Sequence, residues 1–498
     1  MNITLPFNDM PANLRLPGVN IEISNLLASQ GSPQFRVLYI GQRLAAGTVA
    51  AGQLTRITRA DQGDGLYGVG SQLAEMLRAG KAVNNYMETY AIAMADDGAA
   101  VAAAGAITIA GTATAAGTLT RYLGGQRVRV AVAVGDTGAE VATALAAAIG
   151  PAGGAGDTTR LPVTAAVDGV VDTKVNLTAK NKGEAGNGIP IVAGIYGETD
   201  PAGLTITHTA MAGGATNPDI TDALAAQGAE WFNWIVMPYT DAANMAVLEA
   251  HLLELWGPTQ QRGMRAFTAL RANHGASSTY GEARNSPHVT CLAQNLAPRP
   301  PYIEAAVYAM AAAQSLSLDP ARPLTGRILT GMLPPPIEDR WTDEERNLLT
   351  FSGLSTYTVD PDGTCRIETA LTQYQVNAAG LDDISYLYIQ RPETLERVRY
   401  DQRSHFASRF IAGRYKLSED NDAKFGAGQL IMTEDLGRAE LKALYMGFIE
   451  RGWCDDLEGY MASVVIQIDA ANGVFAWQDE PRLIGGLYRM AGLMQFRI

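Results

Sequence analysis

Gly63-Asp64-Gly65-Leu66-Tyr67-Gly68 has the GxGxxG spacing and precedes a helical pattern that opens at Ser71. Glycines so spaced let backbone amides close around a phosphate at a helix N-terminus. The context opposes that chemistry. Arg59-Ala60-Asp61-Gln62, just upstream, is polar rather than a buried strand, and Asp64 repels a pyrophosphate. The glycines are read as a structural turn, and no GxxxxGK(S/T) run is present to supply a second phosphate site.

Nucleophilic hydrolysis needs a Ser or Cys, a His base and an orienting acid. His274, in Asn273-His274-Gly275, is the base such a site would use. The chain has neither a GxSxG elbow nor a Gly-Thr-Ser-Met-Ala nucleophile turn, so His274 is read as a loop residue and no catalytic residue is assigned. His208, His251, His274, His288 and His405 are nowhere three or four residues apart, which leaves no metal-ligand spacing. Glu338-Asp339, Asp343-Glu344-Glu345 and Glu419-Asp420-Asn421-Asp422 read as helix caps and solvated loops. Trp231, Phe232 and Trp234 read as core filling. No cofactor is called for.

Composition narrows the class. The 498 residues are 47% hydrophobic, enough for about three packed cores at roughly 150 residues each. A net charge of -13 disfavours direct nucleic-acid binding, which requires cations to displace counterions from phosphates. Cys291, Cys365 and Cys454 form no CxxC pair and read as reduced, packed thiols of a reducing cytoplasm. Met1-Asn2-Ile3-Thr4 does not begin a secretory signal. The longest apolar stretch, residues 99–115, is too rich in Ala, Gly and Thr for a membrane span. The chain is expected to be soluble, with no membrane partner.

Several elements are predicted from periodicity. Phe35 to Ile40 and Tyr86 to Met94 read as strands around a helix over 71–84, the order of a parallel α/β sheet. From Ala99 to Gly214 the composition shifts to Ala, Gly, Thr and Val. Ile107, Ile109, Val128, Val130, Val132, Val134, Val175 and Leu177 alternate with smaller or polar residues, with one helix at Ala139 to Ile149. The α/β pattern then resumes: a helix near Asp219, a strand over Trp231 to Met237, a helix over Ala242 to Trp256, strands at Arg265 to Leu270 and Val289 to Leu292, and helices at Pro301 to Leu316 and Thr342 to Phe351. Helices at Thr394 to Ala412 and Glu434 to Arg451 precede a hairpin, Val464 to Ile468 and Gly473 to Trp477. Val19, Ile21 and Ile23 near the start, and Leu493, Phe496 and Ile498 at the end, alternate as strands that stand outside these units. A lone strand must join some sheet.

The predicted organisation is therefore an N-terminal arm (1–30) and a central parallel α/β domain in two pieces (31–98 and 215–370). An inserted mainly β domain (99–214), an α+β C-terminal domain (371–486) and a C-terminal arm (487–498) complete it.

Four stretches carry a family resemblance. Pro17-Gly18-Val19-Asn20-Ile21-Glu22, Val37 to Leu44, Leu66 to Ala74 and Asn295 to Pro301, together with the helix after Arg391-Pro392-Glu393, resemble tail sheath proteins of Mu-like contractile phages. The family's Phe-Gly-x-Gly-Ser helix start also accounts for the glycine motif. The resemblance implies a central domain of subtilisin-like topology without the protease residues. It implies a structural subunit that polymerises with itself as a helical homo-oligomer around a tail tube, engages baseplate and tail terminator proteins, and contracts. It further implies a place in the virion tail after assembly in the host cytoplasm. The arms Val19, Ile21, Ile23 and Leu493, Phe496, Ile498 are expected to pair with a neighbour's hairpin at Val464, Ile466, Ile468, Val474 and Phe475. The alternatives are a serine hydrolase of subtilisin topology using His274, and the sheath of a related contractile injection system.

Overall fold

The computed structural model describes residues 35–150, 160–426 and 428–497. The chain enters in β1 (Arg36–Gln42), then β2 (Leu54–Ile57), α1 (Gln62–Tyr67), α2 (Gln72–Val83) and β3 (Glu88–Met94). Helix α2 starts where Ser71 Oγ accepts from the Ala74 amide at 3.2 Å, an N-cap that replaces a missing helical partner. It lays Leu73, Met76 and Leu77 into the core. Lys81 is buried with them because its ammonium donates to Met87 O at 2.8 Å, pinning the entry into β3.

Between β3 and the next strand of that sheet lie β4 (Ala104–Gly111), β5 (Gly117–Leu123), β6 (Gln126–Val132), α3 (Gly138–Ile149), β7 (Val163–Val167), β8 (Lys174–Ala179), β9 (Ile191–Val192) and β10 (Leu204–Ala212). They form two antiparallel sheets, ordered β10–β4–β8–β7 and β6–β5–β9. The alternation seen in the sequence buries Ile107, Ile109, Val175 and Leu177. Arg121 is also buried, which its two-pronged bond to Asp200 at 2.6 and 2.8 Å makes tolerable.

The main sheet then continues. Helix α4 (Thr221–Ala225) precedes β11 (Trp234–Val236), α5 (Ala242–Trp256), β12 (Arg265–Leu270), α6 (His274–Glu282), β13 (Val289–Ala293) and α7 (Pro301–Leu316). The strand order is β13–β12–β11–β1–β3–β2, parallel except for β2. Helices cover both faces. Val37, Tyr39, Trp234, Val236 and Phe267 share one core with α2 and α7, while Leu38, Ile40, Ile92 and Ile235 share another with α5. That double burial explains the near-continuous apolar runs. Strand β11 is shorter than predicted: the Asn233 side chain accepts from the Arg36 amide at 3.0 Å, so Trp231 and Phe232 lie ahead of the regular ladder.

Helix α8 (Asp343–Phe351) follows, opened by a Thr342–Glu345 capping box, and then the hairpin β14 (Thr356–Val359) and β15 (Cys365–Thr369). The last part holds α9 (Gln390–Phe406), which passes into a π-helical turn at Ala407–Ile411. After it come β16 (Lys416–Leu417), β17 (Ile431–Met432), α10 (Glu434–Glu450), α11 (Leu457–Ser463), β18 (Val465–Asp469) and β19 (Val474–Gln478). The architecture is mixed α/β and multidomain.

Candidate assembly surface

The positions whose residue types suit chemistry have structural roles. Gly63 to Tyr67 are helix, not the turn expected, because α1 packs on α2: a Cβ on Gly63 would meet the Ala74 Cα at 3.1 Å. Asp64 is paired with Arg78, and with Arg160 at 3.2 Å. In open α/β sheets ligands enter outside the carboxyl ends of the strands. Here that crevice is filled by the chain itself. Gln42 donates to Asp96 at 2.8 Å and to Lys182 O at 2.6 Å, and Asn181 donates to Arg43 O at 3.0 Å.

His274 is not in a loop but is the first residue of α6. Its Nε2 lies 3.0 Å from Glu345 O, with Trp341 edge-on beside the ring. His288 is buried beside Trp256 and next to Arg265 and Arg399, and burial pushes its pKa down to about 2, so it stays neutral. Among the described residues no group of three His, Cys, Asp or Glu is arranged to hold a metal. No helix among them is long and apolar enough to cross a membrane.

The remaining distinctive feature is the last hairpin. Strands β18 and β19 pair antiparallel from Val465↔Gln478 to Asp469↔Val474, closed by a turn in which Asn472 bonds back to Asp469 and Gly473 takes φ +71°. One face packs on helices. Phe475 sits against Gly437 of α10, Trp477 stacks on Phe406 of α9 at 4.8 Å, and Ile466 is buried among them. Beneath the hairpin Tyr445 and Tyr460 lie face to face at 3.6 Å, and their hydroxyls donate to Asp455 O and Asp479 Oδ2 at 2.6 and 2.8 Å. The other face leaves Val465 and Val474 half exposed. Among the described residues no third strand pairs with either edge of this hairpin.

The expected receiving residues thus come together: Ile466, Ile468 and Phe475 point toward α9 and α10, Val474 points outward, and Val464 is the buried residue that ends α11. Of the expected arm residues, Val19, Ile21, Ile23 and Ile498 lie outside the described residues. Leu493 and Phe496 are 86% and 83% exposed. No strand forms over the described part of the predicted terminal strand. Upstream, the chain end is tied down: Ile484 donates to Trp453 O at 3.0 Å, and Tyr488 stacks on Tyr388. The Tyr488 anchor was not foreseen, because its partner is far away in the chain.

A multidomain α/β chain with a filled sheet crevice, an exposed apolar C-terminal segment and a hairpin that no third strand joins among the described residues has the features of an assembly protein. Residues 213–373 match the family model described as the phage tail sheath protein central domain. The Mu-like prophage FluMu tail sheath protein of Haemophilus influenzae is 38% identical over 473 residues, which cover 94% of each chain. The chain belongs to the phage tail sheath protein family, whose members are structural proteins and not enzymes. The fold is also similar to the sheath tail protein of Desulfitobacterium hafniense, at 12% identity and a TM-score of 0.48 over 94% of this chain and 100% of that one. The sheath tail protein of Listeria innocua is similar at 12% identity and 0.47, over 92% and 98%.

Proposed function

We propose that this subunit polymerises into a helical sleeve around a tail tube and contracts to drive the tube through a host envelope. Its central domain is read as subtilisin-like in topology, bounded as predicted (31–98 and 215–370) with residues 99–214 inserted. The reading rests on one observation: among the described residues no third strand joins either edge of the β18–β19 hairpin, and the C-terminal Leu493 and Phe496 are exposed and in no strand. Free edges and free strands of one sequence satisfy each other when they pair between copies, and each copy then offers another edge. Head-to-tail contacts of this kind do not close on themselves and build rings and helices, for which hexameric rings are the expected unit.

Flexible strands between rigid bodies keep subunits linked while those bodies rotate. The extended sleeve is metastable, its energy is stored at assembly, and no nucleotide is consumed. The tube protein, the baseplate and the tail terminator are its partners, the virion tail its place, and the host cytoplasm its site of assembly. The test is deletion of residues 489–498. Full-length protein is expected to form sleeves or rings by negative-stain microscopy, and the deletion to stay as folded, unassembled subunits with an unchanged circular dichroism spectrum. Polymers of normal length from the deleted chain overturn the arm mechanism.

A further inference from the structure

Three residues at four-residue spacing on α9, Glu393, Arg397 and Asp401, form one row on the helix surface. Each faces a different group of residues that leads toward one end of the chain. Glu393 accepts from Trp234 Nε1 at 3.2 Å, and the Trp234 ring stacks on Phe35 at 5.6 Å, where the chain enters the described structure. Asp401 pairs with Arg451, whose guanidinium lies 4.9 Å from the Trp453 ring centroid. The Trp453 carbonyl accepts the Ile484 amide just ahead of the C-terminal segment. Arg397 lies between these two assemblies, 4.5 Å from the Phe35 centroid and 5.8 Å from that of Trp453.

We infer that Arg397 is a positioning residue that joins the roots of both terminal arms, so that a displacement of one root is delivered to the other through a single side chain on α9. The inference rests on the reading of the two ends as inter-subunit arms, and it gives that reading a mechanical link. A guanidinium facing two rings is attracted to both, and it moves with whichever ring moves. In a lattice where one arm binds one neighbour and the other arm another, load then passes from arm to arm along the short Phe35–Arg397–Trp453 path. It need not cross the cores of the domains.

The test perturbs one root and reads the other in the unassembled full-length chain, by hydrogen exchange of peptides that contain Ile484. Phe35→Leu keeps an apolar side chain but removes the ring. It is expected to speed exchange at Ile484 by roughly fivefold, the scale of one cation–π contact. In an Arg397→Ala background the same substitution is expected to add nothing, and Arg397→Lys is expected to restore part of the coupling. No change at Ile484 in Phe35→Leu, or simple addition of the two effects, overturns the inference. Because no polymer is needed, this outcome is independent of the deletion test of the arms themselves.

Discussion

The ring of Tyr488 lies flat on that of Tyr388, with centroids 4.0 Å apart and planes 7° from parallel, and its hydroxyl donates to Gln390 Oε1 at 3.2 Å. Beyond the Ile484 amide this is a side-chain attachment rather than a backbone one, so it sets where the free segment begins. Counted along the sequence, the segment beyond the stack is ten residues (489–498), and the segment beyond Ile484 is fourteen (485–498). At about 3.3 Å per extended residue the reach grows from about 33 to about 46 Å. Tyr488→Ala is expected to raise the rate of tryptic cleavage after Arg489. Tyr488→Phe, which keeps the stack, is expected to stay near wild type. Equal cleavage of the two variants shows that the stack does not hold the arm.

Gly437 of α10 is the floor on which Phe475 of β19 rests, and a Cβ there runs into the Phe475 ring. Gly437→Ala is expected to destabilise the C-terminal helices and hairpin by about 1–3 kcal/mol, the usual cost of overpacking. The measurement is tryptophan fluorescence in urea, since Trp453 and Trp477 report on this region. Adding Phe475→Leu is expected to recover part of the loss, and the double-mutant cycle measures how much. Strictly additive effects show that the two residues do not clash.

Much of the scaffold was legible because local signals agreed with tertiary ones. Ser71, Asp241 and Thr342 cap their helices, Pro301 opens α7, and doubly buried strands such as Arg36–Gln42 read as apolar runs. Helix α6 was missed because His274-Gly275-Ala276-Ser277-Ser278 is a poor helix former. It forms in context, where Ser277 is buried and Gly281 abuts the Ser352 carbonyl. The Gly63–Gly68 motif was read as a turn and is largely helix: Gly63 lets α1 approach α2 closely and Gly68 takes φ +93° at the helix end, roles that the spacing alone does not separate. The hairpin strands were visible, but the Tyr388–Tyr488 stack and the Arg397 contacts join distant positions and carry no local signature. The terminal strand expected over residues 493–498 does not form over its described part, and alternation alone does not say which edge such a segment joins.

The three thiols test the interior directly. Cys291, Cys365 and Cys454 are buried and unbridged, and burial raises them to about 12, about 12 and about 11. Only the thiolate attacks a disulfide reagent, so at pH 8 the folded protein is expected to show no fast-reacting thiol and the urea-unfolded protein three. A thiol that reacts within seconds in the native protein contradicts the packing described for its region.

Glu304 makes folding pH-dependent with a definite sign. It is fully buried in α7; burial pushes its pKa up to about 7, and the Arg299 guanidinium, 3.4 Å away, opposes that only in part. Among the described residues neither carboxyl oxygen has a hydrogen-bond partner. The folded state therefore binds a proton that the unfolded chain has released above its ordinary value near 4.5. Where the native state holds more protons, stability falls as pH rises. The contribution is complete below about 4.5, declines between there and about 7, and is absent above. Glu393, held near 7 mainly by burial against the pull of Arg265, acts in the same window. Glu304→Gln removes the titration while keeping the shape. Its melting temperature is expected to match wild type at pH 5 and to exceed it at pH 8. Adding Glu393→Gln is expected to flatten the profile further. A difference between Glu304→Gln and wild type that is constant from pH 5 to pH 8 removes Glu304 as the source of the slope.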